Sequence, residues 1–291
     1  MTRVVAIGEC MVELVGRADG AMTRAFAGDA YNAAVQLKRS APKVEVQFAT
    51  VTGTDPLSLD MRQSWRGEGI DETLSPSIAG LLPGLYMVET DAAGERRFSY
   101  WRGQSAARRW LGELDAAALD GADMLFMTGV SLAILPPDDR PRAIELAGRA
   151  RAFAFDPNIR PALWESGHAM RTVVEAAIAR ATILLPSVDD LASLWGDTDP
   201  AMLIDRCQGL GGREVALTDG ARGCWLGDAP ALVPAPHTIV VDTSGAGDAF
   251  NGAYLAARLQ GSLPADAARA ALALAARVVS LPGALPPGAM T

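Results

Sequence analysis

Short, continuous apolar runs alternate with longer segments of helical periodicity along most of the chain. The runs occupy residues 4–7, 46–51, 124–127, 152–155, 182–185 and 215–217. Runs that are apolar throughout, rather than at alternate positions, are typical of strands buried on both faces. The segments between them predict helices over 29–40, 56–68, 138–150, 166–181, 199–210, 247–260 and 264–280.

The alternation of strands and helices predicts an α/β protein with three layers, in which helices cover both faces of a mainly parallel sheet. Ligands of such sheets bind beyond the carboxyl ends of the strands. The residues at the predicted strand ends are small or polar, as a ligand crevice requires. They are Glu9, Gly53, Gly129, Asp156, Asn158, Ser187, Thr218 and Asp219.

Residues 82–102 break this pattern. Two strand-length segments flank the turn-forming sequence at 91–94, which indicates a β-hairpin. Pairing of its strands across this turn puts Tyr86 opposite Tyr100, with Arg102 on the same face.

Residues 11–26 predict a second hairpin around Asp19-Gly20. Together the two hairpins predict a small antiparallel sheet that projects from the main domain as a lid. A lid of this kind exposes strand edges, so we expect subunits to pair through it and form a homo-oligomer.

Composition narrows the class of protein. The chain has 291 residues, is 49% hydrophobic and carries a formal net charge of −8. This acidity argues against a nucleic-acid partner, which requires a basic face. The first apolar run, before Glu9, is too short for a signal peptide. The apolar stretch at 267–281 contains two arginines, so it is not expected to span a membrane. We therefore expect a cytoplasmic protein with no membrane partner.

Cysteine and histidine do not indicate a metal centre. The three cysteines are odd in number and form no Cys-x-x-Cys pair, and the two histidines lie far apart in the sequence. We expect neither a disulfide framework nor a zinc site.

The segment 242–248, with the sequence Asp-Thr-Ser-Gly-Ala-Gly-Asp, carries the clearest chemical signal. Small residues lead into a predicted helix, whose first N–H groups are free to bind an anion. Asp248 in the first turn could take a proton from a hydroxyl that attacks a phosphate held there. Taken alone, Asp248 is equally compatible with a carboxylate that only compensates the helix dipole. The chain contains neither a Walker-type phosphate loop nor a dinucleotide fingerprint after its first strand.

Two motifs near the ends of the chain resemble the signatures of the ribokinase-like (phosphofructokinase-B type) carbohydrate kinases. Residues 242–252 resemble the C-terminal signature, and residues 27–34, Ala-Gly-Asp-Ala-Tyr-Asn-Ala-Ala, resemble the N-terminal one. Further segments resemble the bacterial 2-keto-3-deoxygluconate kinases of this family, so that the similarity covers essentially the whole chain. These segments are 7–14, 82–86, 90–96, 100–102, 131–135, 160–164 and 194–196.

The resemblance implies a single ribokinase-like domain over 1–291, with a lid sheet formed by about 11–26 and 82–102. It also implies transfer of the γ-phosphoryl group of ATP, with Mg²⁺, to the 6-hydroxyl of 2-keto-3-deoxy-D-gluconate. In this reaction Asp248 is the general base, and backbone N–H groups of Gly245, Ala246 and Gly247 hold the developing charge.

The resemblance further implies a substrate site made of Gly28, Asp29, Asn32, Tyr86, Tyr100, Arg102, Arg160 and Asp248. Asp29 can cap a helix, and Asn32 lies one turn further along it, so both could face a sugar. Arginine suits the substrate's carboxylate because it can form paired hydrogen bonds. For Arg160, contact with a nucleotide phosphate is an equal alternative.

For the nucleotide, the resemblance implies contacts from Asn158, Ser187, Thr218, Asp219, Gly220, Gly223 and residues 245–247. Relatives often have Asn-x-x-Glu where this chain has Ser187-Val188-Asp189-Asp190. Asp190 keeps a carboxylate that could bind Mg²⁺ through water, and we expect no direct metal ligand from the protein.

Three alternatives remain open from the sequence. One is a kinase for another sugar or sugar acid, such as 2-keto-3-deoxygalactonate. Another is a fructose kinase. The third is a non-catalytic sensor that binds a sugar acid, since a fold by itself does not establish activity.

Overall fold

The computed structural model describes residues 2–17, 20–90, 96–227 and 231–286, and within them the predicted apolar runs form strands. The strands are β1 (Arg3–Ile7), β2 (Met11–Gly16), β3 (Met22–Ala27), β4 (Glu45–Ala49), β5 (Leu85–Thr90), β6 (Arg96–Trp101), β7 (Met124–Thr128), β8 (Ala152–Asp156), β9 (Ile183–Leu184), β10 (Glu214–Thr218), β11 (Gly223–Leu226) and β12 (Ala231–Pro234).

Eight of these strands form the main sheet, in the order β12-β11-β10-β9-β8-β7-β1-β4. The neighbours from β10 to β4 are all parallel. The strands β11 and β12 add an antiparallel edge. This edge was not predicted, because each of its strands has only four residues and the apolar run of β12 stands between prolines, which usually mark the end of a strand.

The helices are α1 (Asp29–Ser40), α2 (Pro56–Gly67), α3 (Trp110–Glu113), α4 (Gly129–Ala133), α5 (Arg140–Glu145), α6 (Gly167–Ile178), α7 (Val188–Trp195), α8 (Pro200–Leu210), α9 (Ala246–Leu259) and α10 (Pro264–Val279). Six of the seven predicted helices are confirmed. The prediction over 138–150 is confirmed only in part, because α5 is less than two turns long and the 3-10 turns Pro137–Asp139 and Leu146–Arg149 continue it on either side.

Two hydrophobic layers confirm the three-layer architecture. On β1, Val4 and Ala6 face the cluster formed with α1, α2, α9 and α10, whereas Val5 and Ile7 face the cluster formed with α4, α6 and α8. Successive strand residues point to opposite faces, so a sheet covered on both sides needs apolar residues at every position. None of the helices in the described ranges has both the length and the apolar character needed to cross a bilayer.

The remaining four strands form a separate sheet, called here the small sheet, in the order β3-β2-β5-β6. Both predicted hairpins are present as antiparallel pairs, and a parallel pairing of β2 with β5 joins them. Tyr86 lies opposite Tyr100, as predicted. Asp19 and the turn at 91–94 lie outside the described residues.

Candidate active site

The candidate site lies at the carboxyl edge of the main sheet, where α1 and α9 begin. Close packing of these two helices sets its geometry. A Cβ on Gly252 of α9 would lie only 2.5 Å from the carbonyl oxygen of Ala33 in α1, so glycine is needed there. The close approach brings Asn32 Nδ2 to 2.8 Å from Asp248 Oδ2. Asn32 is itself held by Gly28, whose backbone N–H donates to Asn32 Oδ1 at 3.3 Å.

Asp248 occupies the first turn of α9 and is half-buried. Burial and the negative charge of Asp29 raise the pKa of Asp248 to about 7, although the hydrogen bond from Asn32 and the charge of Arg160 oppose this rise. A carboxylate that titrates near neutral pH can accept a proton and release it again, which general base catalysis requires.

The N-terminus of α9 is suited to bind an anion. Gly245 precedes the helix at φ 72°, and a Cβ there would lie 2.5 Å from the carbonyl oxygen of Ala284. Gly247 is exposed, and a Cβ on it would meet no heavy atom within 4 Å. The helix start is therefore open at Gly247, where the helix dipole favours negative charge, although the Ala246 N–H donates to the Thr243 carbonyl at 3.3 Å.

Asp29 is the first residue of α1, and Gly28 holds the N-cap position. The prediction that Asp29 caps this helix is therefore wrong. Its Oδ1 accepts a hydrogen bond from the backbone of Ala30 at 2.8 Å, and its Oδ2 accepts one from Asn158 Nδ2 at 2.6 Å. Asn158 has φ 33°, a left-handed conformation that a residue other than glycine rarely adopts. Such strain is concentrated at functional sites.

Two further aspartates hold the loop that contains Asn158. Asp156, at the end of β8, accepts from the Asn158 backbone at 2.9 Å, and Asp190 accepts from the Ile159 backbone at 2.8 Å. Burial, followed by the charges of Asp190, Asp29 and Asp248, raises the pKa of Asp156 well above its usual range. Burial also raises the pKa of Asp190. Four carboxylates therefore share this edge of the sheet.

Arg160 and Ser187 lie beside Asp190. Ser187 is the N-cap of α7 and donates from Oγ to Asp190 Oδ2 at 2.7 Å. The Arg160 side chain is 58% exposed, and its Nη1 lies 3.7 Å from Asp190 Oδ1. Nη1 of Arg160 also donates to the Ile159 carbonyl at 2.8 Å, and contact of the exposed guanidinium with either of the two predicted anions stays a prediction.

The other predicted nucleotide contacts follow β10. A parallel bridge links Ser187 to Thr218. Asp219 is buried, and its Oδ2 accepts from Trp225 Nε1 at 3.0 Å. Gly220 and Gly223 have φ of 52° and 126°, so the loop depends on their conformational freedom. Their role in nucleotide binding stays a prediction.

On the small sheet, Arg102 is engaged within the protein. Its Nη2 donates to Oε2 of Glu9, which follows β1 and is 1% exposed. Burial raises the pKa of Glu9, and the charge of Arg102 opposes the rise. We identified Glu9 only as a strand-end residue, and the sequence does not indicate its partner.

The two predicted tyrosines lie side by side on the small sheet. The ring centroids of Tyr86 and Tyr100 are 5.7 Å apart. The Tyr86 hydroxyl donates to Glu13 Oε1 at 2.6 Å, whereas Tyr100 is more than half exposed. Tyr100 therefore offers the free aromatic surface of this pair, and contact of either tyrosine with a substrate stays a prediction.

Side chains at the candidate site could ligate a metal ion directly or hold it through water. Within the described ranges, no group of three or more His, Cys, Asp or Glu side chains is arranged to hold one. Both oxygens of Asp190 accept hydrogen bonds, from Ser187 and Ile159. These residues suit Mg²⁺ that arrives on phosphate oxygens and keeps several waters, which is its common mode of binding.

The chain is similar to known carbohydrate kinases over nearly its whole length. It is 36% identical to the 2-dehydro-3-deoxygluconokinase of Escherichia coli (strain K12), over 98% of this chain and 97% of that protein. It is 37% identical to the protein of the same name from Dickeya dadantii (strain 3937), over 98% and 96% of the two chains.

Solved structures agree with the sequence relatives. A PfkB protein from Polaromonas sp. JS666 superimposes with a TM-score of 0.87 at 28% identity, covering 98% of this chain and 97% of that one. Aminoimidazole riboside kinase from Salmonella enterica, complexed with aminoimidazole riboside and an ATP analog, gives a TM-score of 0.86 at 25% identity, covering 98% and 96%. The pfkB family carbohydrate kinase model matches residues 1–289. The chain therefore belongs to the pfkB family of carbohydrate kinases, as the motifs at 27–34 and 242–252 indicate.

Proposed function

We propose that the protein phosphorylates 2-keto-3-deoxygluconate, also called 2-dehydro-3-deoxygluconate, at its 6-hydroxyl with ATP as the donor. The observation that carries the reaction type is the placement of Asp248, with a pKa of about 7, in the first turn of a helix whose N-terminus is open. The names of the relatives at 36–37% identity support the substrate. The ATP analog in the Salmonella enterica kinase supports the donor.

We assign different steps of phosphoryl transfer to different groups of the site. Asp248 accepts the proton of the 6-hydroxyl as that oxygen forms its bond to the γ-phosphorus and the bond to ADP breaks. The backbone N–H groups at 245–247 stabilise the charge on the transferred group. Asn32 fixes the Asp248 carboxylate, and Asp29, held by Asn158, is available to a sugar hydroxyl.

Mg²⁺ bound to ATP would neutralise charge on the phosphates. Both oxygens of Asp190 already accept hydrogen bonds, from Ile159 and Ser187, which supports a contact with Mg²⁺ through water rather than direct coordination. Asp190 is the residue we assign to this water contact, and Ser187 orients it.

We assign recognition of the substrate carboxylate to arginine. Arg102 is tied to Glu9 through Nη2, which leaves its other N–H groups to be shared with a second anion. Arg160 is exposed at the same edge of the sheet. Tyr86 and Tyr100 would form the wall of the small sheet beside the sugar.

An assay of ADP release with Mg·ATP tests the function. The substrates are 2-keto-3-deoxygluconate, its galactonate epimer, fructose and ribose, and Asp248→Asn is the control for contaminating kinases. Selective turnover of the keto-deoxy acids is the expected result. Turnover of fructose alone would overturn the substrate assignment. Tight binding of the acid with no ADP release would favour the sensor.

We also infer that the whole chain, 1–291, acts as one cytoplasmic kinase unit and that it forms a homo-oligomer through the small sheet. Strand β6 is an edge of that sheet and exposes Phe98, Tyr100 and Trp101. Exposed edge strands with apolar side chains favour pairing. Light scattering should give the mass of an oligomer for the native chain and of a monomer for Trp101→Glu. A monomeric native chain would refute the pairing.

A further inference from the structure

All of the asparagines in this chain meet at the candidate site. The 291-residue sequence contains three asparagines, and the carboxamide of each donates to a different aspartate. The pairs are Asn32–Asp248, Asn251–Asp156 and Asn158–Asp29, with N···O distances of 2.8, 2.8 and 2.6 Å.

The three pairs form a closed circuit between three segments. Helix α1 donates through Asn32 to α9, and α9 donates through Asn251 to the end of β8. The loop after β8 then donates through Asn158 back to α1. Each segment gives one carboxamide and receives one bond at a carboxylate. The circuit therefore fixes all three segments relative to one another.

One pair of the circuit lies apart from the proposed chemistry. Asp156 and Asn251 are buried, with 7% and 3% of their surface exposed, respectively. The sequence predicted Asp156 only as a residue at the end of a strand, and it did not predict a role for Asn251. Asn251 follows Asp248 by three residues, so the two side chains lie on the same face of α9. Asp156 also accepts from the backbone of Asn158 at 2.9 Å. It therefore restrains both α9 and the strained loop residue.

We propose that Asp156 and Asn251 form a positioning pair, which aims the Asp248 carboxylate at the attacking hydroxyl by fixing α9 against the loop at 156–160. The pair acts through Asp248 and Asn158 and touches neither substrate. A displacement of about 1 Å at a reacting group can lower the rate ~100-fold. A hydrogen bond that holds α9 one turn from Asp248 can therefore have a large effect on kcat. This inference rests on the proposed function of Asp248.

Exchanging the two side chains tests the pair. In Asn251→Asp, two acidic side chains face each other and the carboxamide that donates to Asp156 is lost. In the double variant Asp156→Asn/Asn251→Asp, the new carboxamide can donate to residue 251 while its oxygen accepts from the Asn158 backbone. We expect kcat to fall ~100-fold in the single variant and to recover at least about tenfold in the exchange variant, with KM for ATP nearly unchanged.

The pH profile of kcat separates positioning from a general loss of structure. Misplacing Asp248 and adding a negative charge nearby should move its apparent pKa upward in Asn251→Asp, and the exchange should return it. Gln47→Glu is the control, because Gln47 Nε2 also donates to an aspartate, Asp71 Oδ2, at 3.0 Å. Its Oε1 accepts from Arg3 at the start of β1, at the end of the strand opposite to the site. Gln47→Glu should keep its kcat and pH profile. If Asn251→Asp does not fold, Asn251→Ser replaces it.

The outcomes distinguish the two proposals. A native enzyme that turns over none of the sugars refutes the proposed function. A native enzyme that is active, with a folded Asn251→Asp or Asn251→Ser variant of unchanged kcat and pH profile, refutes the positioning pair. An exchange variant that regains thermal stability but not kcat refutes it as well.

Discussion

Arg102 at the end of β6 donates through Nη2 to Glu9, which follows β1 of the main sheet. This ion pair joins the small sheet to the main sheet, and it is largely buried, with Glu9 1% and Arg102 12% exposed. Glu9 Oε1 has no hydrogen-bond partner among the described residues. A buried carboxylate of this kind depends on its arginine, because removal of one partner leaves an uncompensated charge.

Replacement of Arg102 should therefore have two separate effects. Arg102→Ala is expected to destabilise the protein by about 3–5 kcal/mol, measured by urea unfolding, because Glu9 is left buried and unpaired. It should also raise KM for acidic substrates more than for neutral sugars, because a carboxylate loses its arginine.

The double variant Glu9→Gln/Arg102→Ala separates these effects. It should recover much of the stability and none of the affinity for the acid. Equal KM changes for acidic and neutral sugars would contradict carboxylate recognition by Arg102.

The reaction should depend on the ionisation of Asp248. Its raised pKa of about 7 means that the base is mostly protonated below that pH and ionised above it. We expect kcat to rise tenfold per pH unit on the acid side and to level off above about pH 7. Steady-state rates across this range check the expectation. A flat profile, with chemistry shown to be rate-limiting, would contradict it.

Asp248→Asn should lower activity and raise stability. It removes the base but keeps the shape, so we expect kcat to fall by several orders of magnitude with sugar affinity largely kept. An acid whose pKa is raised in the folded state binds a proton more tightly there than in the unfolded state. Asp248 therefore lowers stability progressively from about pH 4 to pH 7. The variant should gain thermal stability over the native chain at about pH 8 and lose this advantage near pH 4.

The sequence was sufficient to predict the six parallel strands of the main sheet and the residues near Asp248. Buried parallel strands produce continuous apolar runs, and local spacing placed Asp29 and Asn32 at the start of one helix and Asp248 at the start of another. The antiparallel edge β11-β12 was missed because its strands have four residues each, with glycines around β11 and prolines around the apolar run of β12. Helix α7 was missed although its cap at Ser187 and its end at Gly196, with φ 80°, carry recognisable signals.

Contacts between distant residues could not be read from the chain. Asn251 and Asp156 are 95 positions apart, and Arg102 and Glu9 are 93 apart. Which carboxylate meets which donor depends on how the helices and sheets pack. The same holds for the raised pKa of Asp248, because its cause is the burial and the nearby Asp29 charge that only the folded chain creates.

The spacing of α1 and α9 should control both stability and catalysis through Gly252. A Cβ there would lie 2.5 Å from the Ala33 carbonyl oxygen and 2.7 Å from Leu37 N, so backbone has to move to admit it. We expect Gly252→Ala to separate the helices, to lengthen the bond between Asn32 and Asp248, and to lower both kcat and the melting temperature.

Gly209→Ala in α8 is the matched control for Gly252→Ala, because a Cβ on Gly209 meets nothing within 4 Å. It should stabilise the protein by about 0.5–1 kcal/mol through helix propensity and leave kcat unchanged. Native kcat in Gly252→Ala would show that the helix spacing does not set the position of Asp248. A loss of kcat in Gly209→Ala would mean that the assay responds to any change in helix stability.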